Sequence, residues 1–308
     1  MNSVQAMEQE IKGQLLYLQN PILQDHSENC VLVGSGDSYA AALAAQHVSN
    51  NQALCLSPMD VVLNPALAGN RTVYFVSVSG NTRANILAAK AVERRGTRTV
   101  AVTAKPSSPL AKACGEVIEL KYEGSGITTA GTISFMATMV TCISIATRLR
   151  IPKNIDRLFS RATTQAEKAA AGHRGEAGLN VLLGDGPLFS IATYAAFKFN
   201  EVLGQKAVYY SVEEFCHSPI FSIRNSDNIL VLGGKKDNSQ ALDVRLRKEG
   251  FKSCYMGFDN ESAIDAIIQS TFFTQLLVLS IAKTRGLTDC HFLSNKQLLQ
   301  VSSDFIYG

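Results

Sequence analysis

The sequence predicts an α/β protein built from two copies of one parallel-sheet fold, and three observations carry that expectation. Short apolar and β-branched runs alternate with helical stretches of about 10 to 15 residues, the rhythm of βαβ units with a sheet covered on both faces. Twice, such a run leads straight into a glycine-bracketed loop and then an alanine-bearing helix. The two occurrences, Val31-Leu32-Val33-Gly34-Ser35-Gly36 and Val181-Leu182-Leu183-Gly184-Asp185-Gly186, stand 184 − 34 = 150 residues apart, so the chain repeats itself.

Residues 4–24 read as an amphipathic helix carrying Ile11, Leu15, Leu16 and Leu18, stopped by Asn20-Pro21. It is expected to be a docking helix within an N-terminal segment, residues 1–28. A first domain over residues 29–152 follows. Its strand at 29–33 enters the loop Gly34-Ser35-Gly36-Asp37-Ser38-Tyr39 and a helix at 40–48; a second strand at 72–78 enters Ser79-Gly80-Asn81-Thr82 and a helix at 83–96. Strands at 97–103 and 117–120 and a long buried helix at 133–149 complete it. Residues 153–178, polar and rich in Ala, Lys, Arg and Gln, are expected to be a helical connector. The second domain, 179–308, restarts the pattern with a strand at 180–183, the loop Gly184-Asp185-Gly186-Pro187, a helix at 188–202 and a strand at 228–232.

Composition narrows the function. A chain of 308 residues suits about two domains. Net charge is 29 − 26 = +3, with 18% charged and 46% hydrophobic residues, a globular balance. Arg94-Arg95 and Arg245-Leu246-Arg247-Lys248 lack interleaved aromatics and read as solvated helix faces, so no nucleic acid is expected. The seven cysteines form no CxxC pair, which fits buried thiols in a reducing compartment. Residues 1–10 are polar and acidic where a signal peptide is basic and then apolar, and no uninterrupted apolar run reaches about 18 residues. The expected setting is cytoplasmic, without a membrane partner. His26, His47, His173, His217 and His291 do not pair at i, i+4, so neither a metal nor another cofactor is expected.

Two constellations carry chemistry. Ser77-Val78-Ser79-Gly80-Asn81-Thr82 follows a strand and opens a helix, so the free first-turn amides and the helix dipole face the loop. Ser77, Ser79 and Thr82 add hydroxyl donors, and Gly80 lets a ligand approach the backbone; a phosphate suits this loop, the alternative being that Ser79 or Asn81 is only a helix cap. The second copy has Gly233-Gly234-Lys235-Lys236-Asp237-Asn238 there, without hydroxyls, so the anion site belongs to the first. Gly34 to Tyr39 is not a dinucleotide fingerprint, because Tyr39 replaces the last glycine and Asp37 would repel a pyrophosphate. GxxxxGK[ST] is absent, and Ser79 lacks the glycines of a nucleophile elbow. Lys198 and Glu201, three apart, share one helical face, and His217 follows in Glu213-Glu214-Phe215-Cys216-His217. A carboxylate and an imidazole are what proton transfer between adjacent sugar carbons needs, although a histidine beside acidic residues also serves structure.

These residues resemble the sugar isomerase (SIS) domain family, and within it the isomerase half of glucosamine-6-phosphate synthase. Met7-Glu8-Gln9-Glu10-Ile11 with Gln14 is similar to that half's opening M-x-x-E-I-x-x-Q; Gly34 to Tyr39 is similar to A-C-G-T-S-Y, and Ser77 to Thr82 to S-Q-S-G-E-T. The family's glutamate precedes the histidine of H-G-P by sixteen residues, as Glu201 precedes His217, and Lys198 stands at the family's lysine. The resemblance implies two tandem SIS subdomains, each a flavodoxin-like parallel sheet flanked by helices, in a homodimer that supplies His217 across the interface. It implies a sugar phosphate held by Ser77, Ser79 and Thr82 with Ser35, Gly36, Ser38 and Val78 nearby. Gly124-Ser125-Gly126-Ile127-Thr128-Thr129-Ala130-Gly131-Thr132 is similar to G-T-E-I-G-V-A-S-T, which makes Thr129 and Ala130 sugar contacts. Glu201 would be the base between C1 and C2, and His217 would assist ring opening.

The family's tail lysine aligns on Leu299 or Gln300, with Lys296 the nearest lysine. Without the amidotransferase portion the chain is expected not to take nitrogen from glutamine. The implied activity is an isomerising deaminase or a deglycase on an amino-bearing hexose 6-phosphate. The alternatives are a phosphoglucose or phosphomannose type of aldose-ketose isomerase and a non-catalytic sugar-phosphate sensor.

Overall fold

The structure, a computed structural model, describes residues 1–173, 175, 178–234, 237–258 and 262–308. In chain order its helices are α1 (Ser3–Gln19), α2 (Asp37–Val48), α3 (Pro58–Leu63), α4 (Arg83–Glu93), α5 (Pro109–Lys112), α6 (Ile133–Ala146), α7 (Ile155–Gly172), α8 (Pro187–Leu203), α9 (Val212–His217), α10 (Ser239–Lys248), α11 (Ala263–Thr284), α12 (His291–Ser294) and α13 (Lys296–Tyr307). The strands are β1 (Val31–Gly34), β2 (Leu54–Leu56), β3 (Val73–Val76), β4 (Thr99–Thr103), β5 (Glu116–Glu119), β6 (Asn180–Gly184), β7 (Ala207–Tyr210), β8 (Asn228–Gly233) and β9 (Ser253–Gly257).

Both sheets are wholly parallel, in the orders β2-β1-β3-β4-β5 and β7-β6-β8-β9. The first has the flavodoxin-like order 2-1-3-4-5, and the second is the same order one strand short. Every residue of β1, β3, β4 and β6 is buried, which is why these strands read as continuous apolar runs rather than alternations. Edge strand β5 instead exposes Glu116 and Glu119, and Arg98 makes a bidentate pair with Glu116 at 2.7 and 2.8 Å, a charged edge that discourages further strand pairing.

The repeat holds at the level of dihedral angles. Gly36 caps α2 at φ 56°, ψ −130°, and Gly186, 150 residues on, caps α8 at φ 52°, ψ −129°. A side chain at either position would be strained, so the loop geometry selects glycine twice.

By compactness the chain divides into two discontinuous units. One comprises residues 1–15, 125–132 and 151–294 around the second sheet; the other comprises 16–124, 133–150 and 295–308 around the first. These divisions differ from contiguous segments 1–28, 29–152, 153–178 and 179–308. In particular, α7 is not a bare connector: Ile155, Leu158, Ala162, Ala166 and Ala169 form an apolar stripe, and the helix packs on α11 with Phe159 edge-on to Phe272 at 5.1 Å. Burial made this stripe of mostly alanine, which composition alone reads as polar.

The first sheet's core joins Val31, Val33, Val73, Phe75 and Ala101 to Ala88, Ala89 and Val92 of α4. In the other unit, α11 is long and apolar enough to cross a membrane, but 72% of its most apolar window is buried, and it packs on α7 and α8 as a core helix. The seven cysteines are free thiols.

Two half-buried histidines set a pH dependence. Burial pushes both His47 and His173 below the usual 6.5, and His173 is hydrogen-bonded to Asn180 Oδ1 at 3.1 Å. The unfolded chain therefore takes up protons first as pH falls below about 6.5, and the stability contributed by these neutral rings is lost between there and their folded values. Melting temperature is expected to drop between pH 7.5 and pH 5.5, and a His47→Gln/His173→Gln variant should show a smaller drop. An identical drop in the double variant would refute the assignment.

Candidate active site

In a 2-1-3 strand order, chain connections leave β1 and β3 in opposite directions, which opens a crevice at their carboxyl ends. β1 and β3 are paired neighbours with Gly34 opposite Val76, so the loops carrying Ser35, Gly36 and Ser38 and Ser77, Val78, Ser79 and Thr82 flank that crevice. Ser35 and Gly36 are exposed, whereas Ser38 is buried in the first turn of α2.

The 77–82 loop is built as a cradle. Ser77 Oγ lies 3.0 Å from Thr82 Oγ1 and accepts the Gly80 N–H at 3.2 Å, while Ser79 Oγ accepts the Asn81 N–H at 3.3 Å. Thr82 occupies the N-cap of α4 yet makes no side-chain cap bond, so its hydroxyl is turned to Ser77 rather than to the helix amides. The N-cap of α4 is thus neither Ser79 nor Asn81, the residues a plain helix-cap reading would put there. Asn85, fully buried, donates to Val76 O at 2.8 Å, and Thr103 Oγ1 donates to Val78 O at 3.2 Å, which pin the loop's entry. Gly80, at φ 65°, packs so tightly that a Cβ would stand 2.1 Å from Ser108 Oγ.

The corresponding place in the second copy is filled by the chain's own carboxylates. Asp237 accepts the Gly234 N–H at 2.7 Å and the Ser239 N–H, at the start of α10, at 3.1 Å. Asp185 accepts the Val212 N–H at 3.0 Å, and burial, with Asp237 and Glu213 nearby, raises its carboxyl above the usual carboxylate range. A bound anion would meet these negative groups where the first copy offers hydroxyls. Lys235 and Lys236 lie outside the described residues.

Lys198 and Glu201 project from one face of α8. Lys198 is wholly buried, its Nζ 2.5 Å from Glu201 Oε2 and 5.1 Å from the centre of the Tyr194 ring. Glu201 keeps 41% of its side chain exposed, so a buried ammonium orients a carboxylate that solvent reaches. Tyr194, four residues before Lys198, was not singled out from the sequence; its i, i+4, i+7 spacing to Lys198 and Glu201 was the available signal.

His217 ends α9 and is 70% exposed; its Nε2 lies 3.1 Å from Glu213 Oε1. Among the described residues no hydrogen bond joins it to Glu201. Thr129, half-buried, donates its hydroxyl to Ser3 O at 2.8 Å, and Ala130 is buried, while Ile127 and Thr128 before them are exposed. Lys296, Leu299 and Gln300 all lie on α13, with Lys296 and Gln300 exposed.

Comparison with known proteins bears on the fold that carries these residues. Residues 59–148 match the SIS domain model. No curated protein matches the sequence. Among solved structures, the chain is similar to a glucosamine-6-phosphate deaminase from Thermotoga maritima, at 18% identity and TM-score 0.73 over 93% of this chain and 95% of that one. It is similar to the C-terminal domain of glucosamine-fructose-6-phosphate aminotransferase from Francisella tularensis, at 17% identity and TM-score 0.74 over 92% and 97%. A third likeness is to tagatose-6-phosphate ketose/aldose isomerase from Escherichia coli, at 17% identity and TM-score 0.67 over 93% and 90%. At these identities the structural likenesses establish the fold alone, two tandem parallel-sheet α/β subdomains, of which the first carries the SIS match.

Proposed function

We propose that this SIS-domain protein is an enzyme of the phosphosugar isomerase type, acting on an amino-bearing hexose 6-phosphate as an isomerising deaminase or a deglycase. The observation that carries the reading is the Lys198–Glu201 pair: a half-exposed carboxylate held in place by a fully buried ammonium is a general base, and a sensor has no need of one. The hydroxyls of Ser77, Ser79 and Thr82 hold the 6-phosphate, and Ser35, Gly36, Ser38 and Val78 line its neighbourhood. Thr129 and Ala130 are the sugar contacts of the 124–132 loop.

Glu201 removes the proton from one of the two carbons C1 and C2, leaving an enediol or enolamine, and returns it to the other. Loss of the amine then follows by hydrolysis of the imine. His217 assists ring opening; its exposure supports a role in the site of a second copy of the chain, in a homodimer. A plain aldose-ketose isomerase is the second reading. It is favoured by Leu299 or Gln300 standing at the position of the family's Schiff-base lysine, because an enediol route needs only the base.

A coupled assay for amine release and ketose formation decides between them, with glucosamine 6-phosphate, a fructose-amino acid 6-phosphate and glucose 6-phosphate as substrates and Glu201→Gln as control. Glu201-dependent amine release is the expected result. Ketose from glucose 6-phosphate alone would establish the second reading, and saturable binding of all three without turnover would refute both in favour of a sensor.

A further inference from the structure

The opening motif and the 125–132 loop meet in a buried polar network that the proposed chemistry does not by itself require. Glu10, nearly buried, accepts the Ser125 N–H at 3.0 Å and hydroxyl at 2.8 Å through Oε1, and the Thr132 hydroxyl at 2.7 Å through Oε2. Gln14 Nε2 donates to Gln275 Oε1 at 2.6 Å, and both glutamines are wholly buried. Gln275 Nε2 donates in turn to Thr132 O at 3.3 Å and to the Tyr194 hydroxyl at 3.1 Å. The Tyr194 hydroxyl then donates to Gly131 O at 2.7 Å. Buried amides and hydroxyls are costly unless paired, and here they are paired with one another apart from Gln14 Oε1, which is buried without a partner among the described residues.

Tyr194 is the member that faces two ways. Its hydroxyl grips the end of the 125–132 loop, while its ring, buried with the rest of the side chain, lies under the Lys198 ammonium. The negative face of an aromatic ring favours a cation there, and the i, i+4 spacing on α8 fixes the stacking. Lys198 in turn orients Glu201.

We infer that Tyr194 is a positioning residue that couples the sugar-contacting loop to the acid-base pair: its hydroxyl sets the 125–132 loop and its ring sets Lys198 and hence Glu201. The inference rests on the proposed enzymatic reading for its kinetic consequences, but not for its structural ones. The two halves of the side chain separate by mutation. Tyr194→Phe removes only the hydroxyl, with its bonds to Gly131 O and from Gln275 Nε2, and Tyr194→Met removes hydroxyl and ring together, so the ring's share is the difference between the two variants.

The test pairs kinetics with the ¹H–¹⁵N spectrum of lysine ammonium groups, the Lys198 signal being assigned with Lys198→Met. Tyr194→Phe is expected to keep that signal and kcat within about twofold while raising KM about tenfold, the effect of losing the hydroxyl's buried bond to the loop. Tyr194→Met is expected to shift or abolish the Lys198 signal and to lower kcat about tenfold. Equal kcat and KM in wild type and both variants, or an unmoved Lys198 signal in Tyr194→Met, would overturn the inference. Should wild type turn over none of the three substrates, the enzymatic reading falls and the ammonium spectrum alone decides the positioning role. Should Tyr194→Met not fold, Tyr194→Phe decides: an unchanged KM overturns the loop coupling.

Discussion

Glu201→Gln is expected to lower turnover by about 10²- to 10⁴-fold, the usual contribution of a positioned general base, with substrate affinity little changed. The amide keeps an oxygen to accept from Lys198 but cannot take a proton from carbon. Losing the charge beside a buried ammonium should also cost about 1 to 2 kcal/mol of stability, read as a lowered melting temperature. Glu201→Asp separates the two effects: it keeps the charge but withdraws the carboxylate by one methylene, and a displacement of about 1 Å is enough to cost about 100-fold. A Glu201→Gln protein with near wild-type turnover would remove Glu201 as the base. A folded variant that still binds substrate with no turnover would support it.

The second large effect is expected at Gly80. An alanine there must adopt φ 65° and place its Cβ 2.1 Å from Ser108 Oγ, 2.4 Å from Ser108 Cβ and 2.9 Å from Thr103 Oγ1. Ser108 cannot retreat freely, because its hydroxyl caps α5 by accepting the Ala111 N–H. Backbone strain and overpacking together should cost about 3 kcal/mol, and the displaced 77–82 loop should weaken sugar-phosphate binding at least about tenfold. Gly96 is the internal control: its φ is 74°, but a Cβ there meets nothing within 4 Å, so Gly96→Ala should cost only about 1 kcal/mol. Urea denaturation of the two variants measures the difference. Equal costs would show that the close contact with Ser108 is unimportant.

Much of the fold was readable in order along the chain because parallel strands buried on both faces leave apolar runs that stand out. β1, β3, β4, β6 and β8 fall within or beside the expected strands, and the 150-residue repeat survives as matched cap geometry at Gly36 and Gly186. Boundaries shifted where capping chemistry decided them. The helix expected at 83–96 ends at Glu93, with Gly96 in a left-handed turn, and the one expected at 4–24 ends at Gln19, just before Pro21. β2 has three residues, and only Cys55 of them is buried; β7 and most of β9 are half-buried, so neither gives a strong period. α11 escaped notice because its buried face includes Gln269, Ser270, Thr271, Thr274 and Gln275 among the apolar residues.

The sequence by itself determined the layout of chemistry: hydroxyls around Gly80 in one copy, carboxylates in the other, and Lys198 and Glu201 on one turn of helix. Those are local facts, set by helix periodicity and by loops that follow strands. Only the tertiary structure decided which groups are engaged. Asp237 occupies the first amide of α10, Thr82 leaves the amides of α4 uncapped by its side chain, and Lys198 is wholly buried over Tyr194. The Glu10 and Gln275 network likewise joins residues up to 265 positions apart, 275 − 10, and no spacing rule reaches that far. Burial and hydrogen-bond partnership are properties of packing, and packing is settled by the whole chain at once.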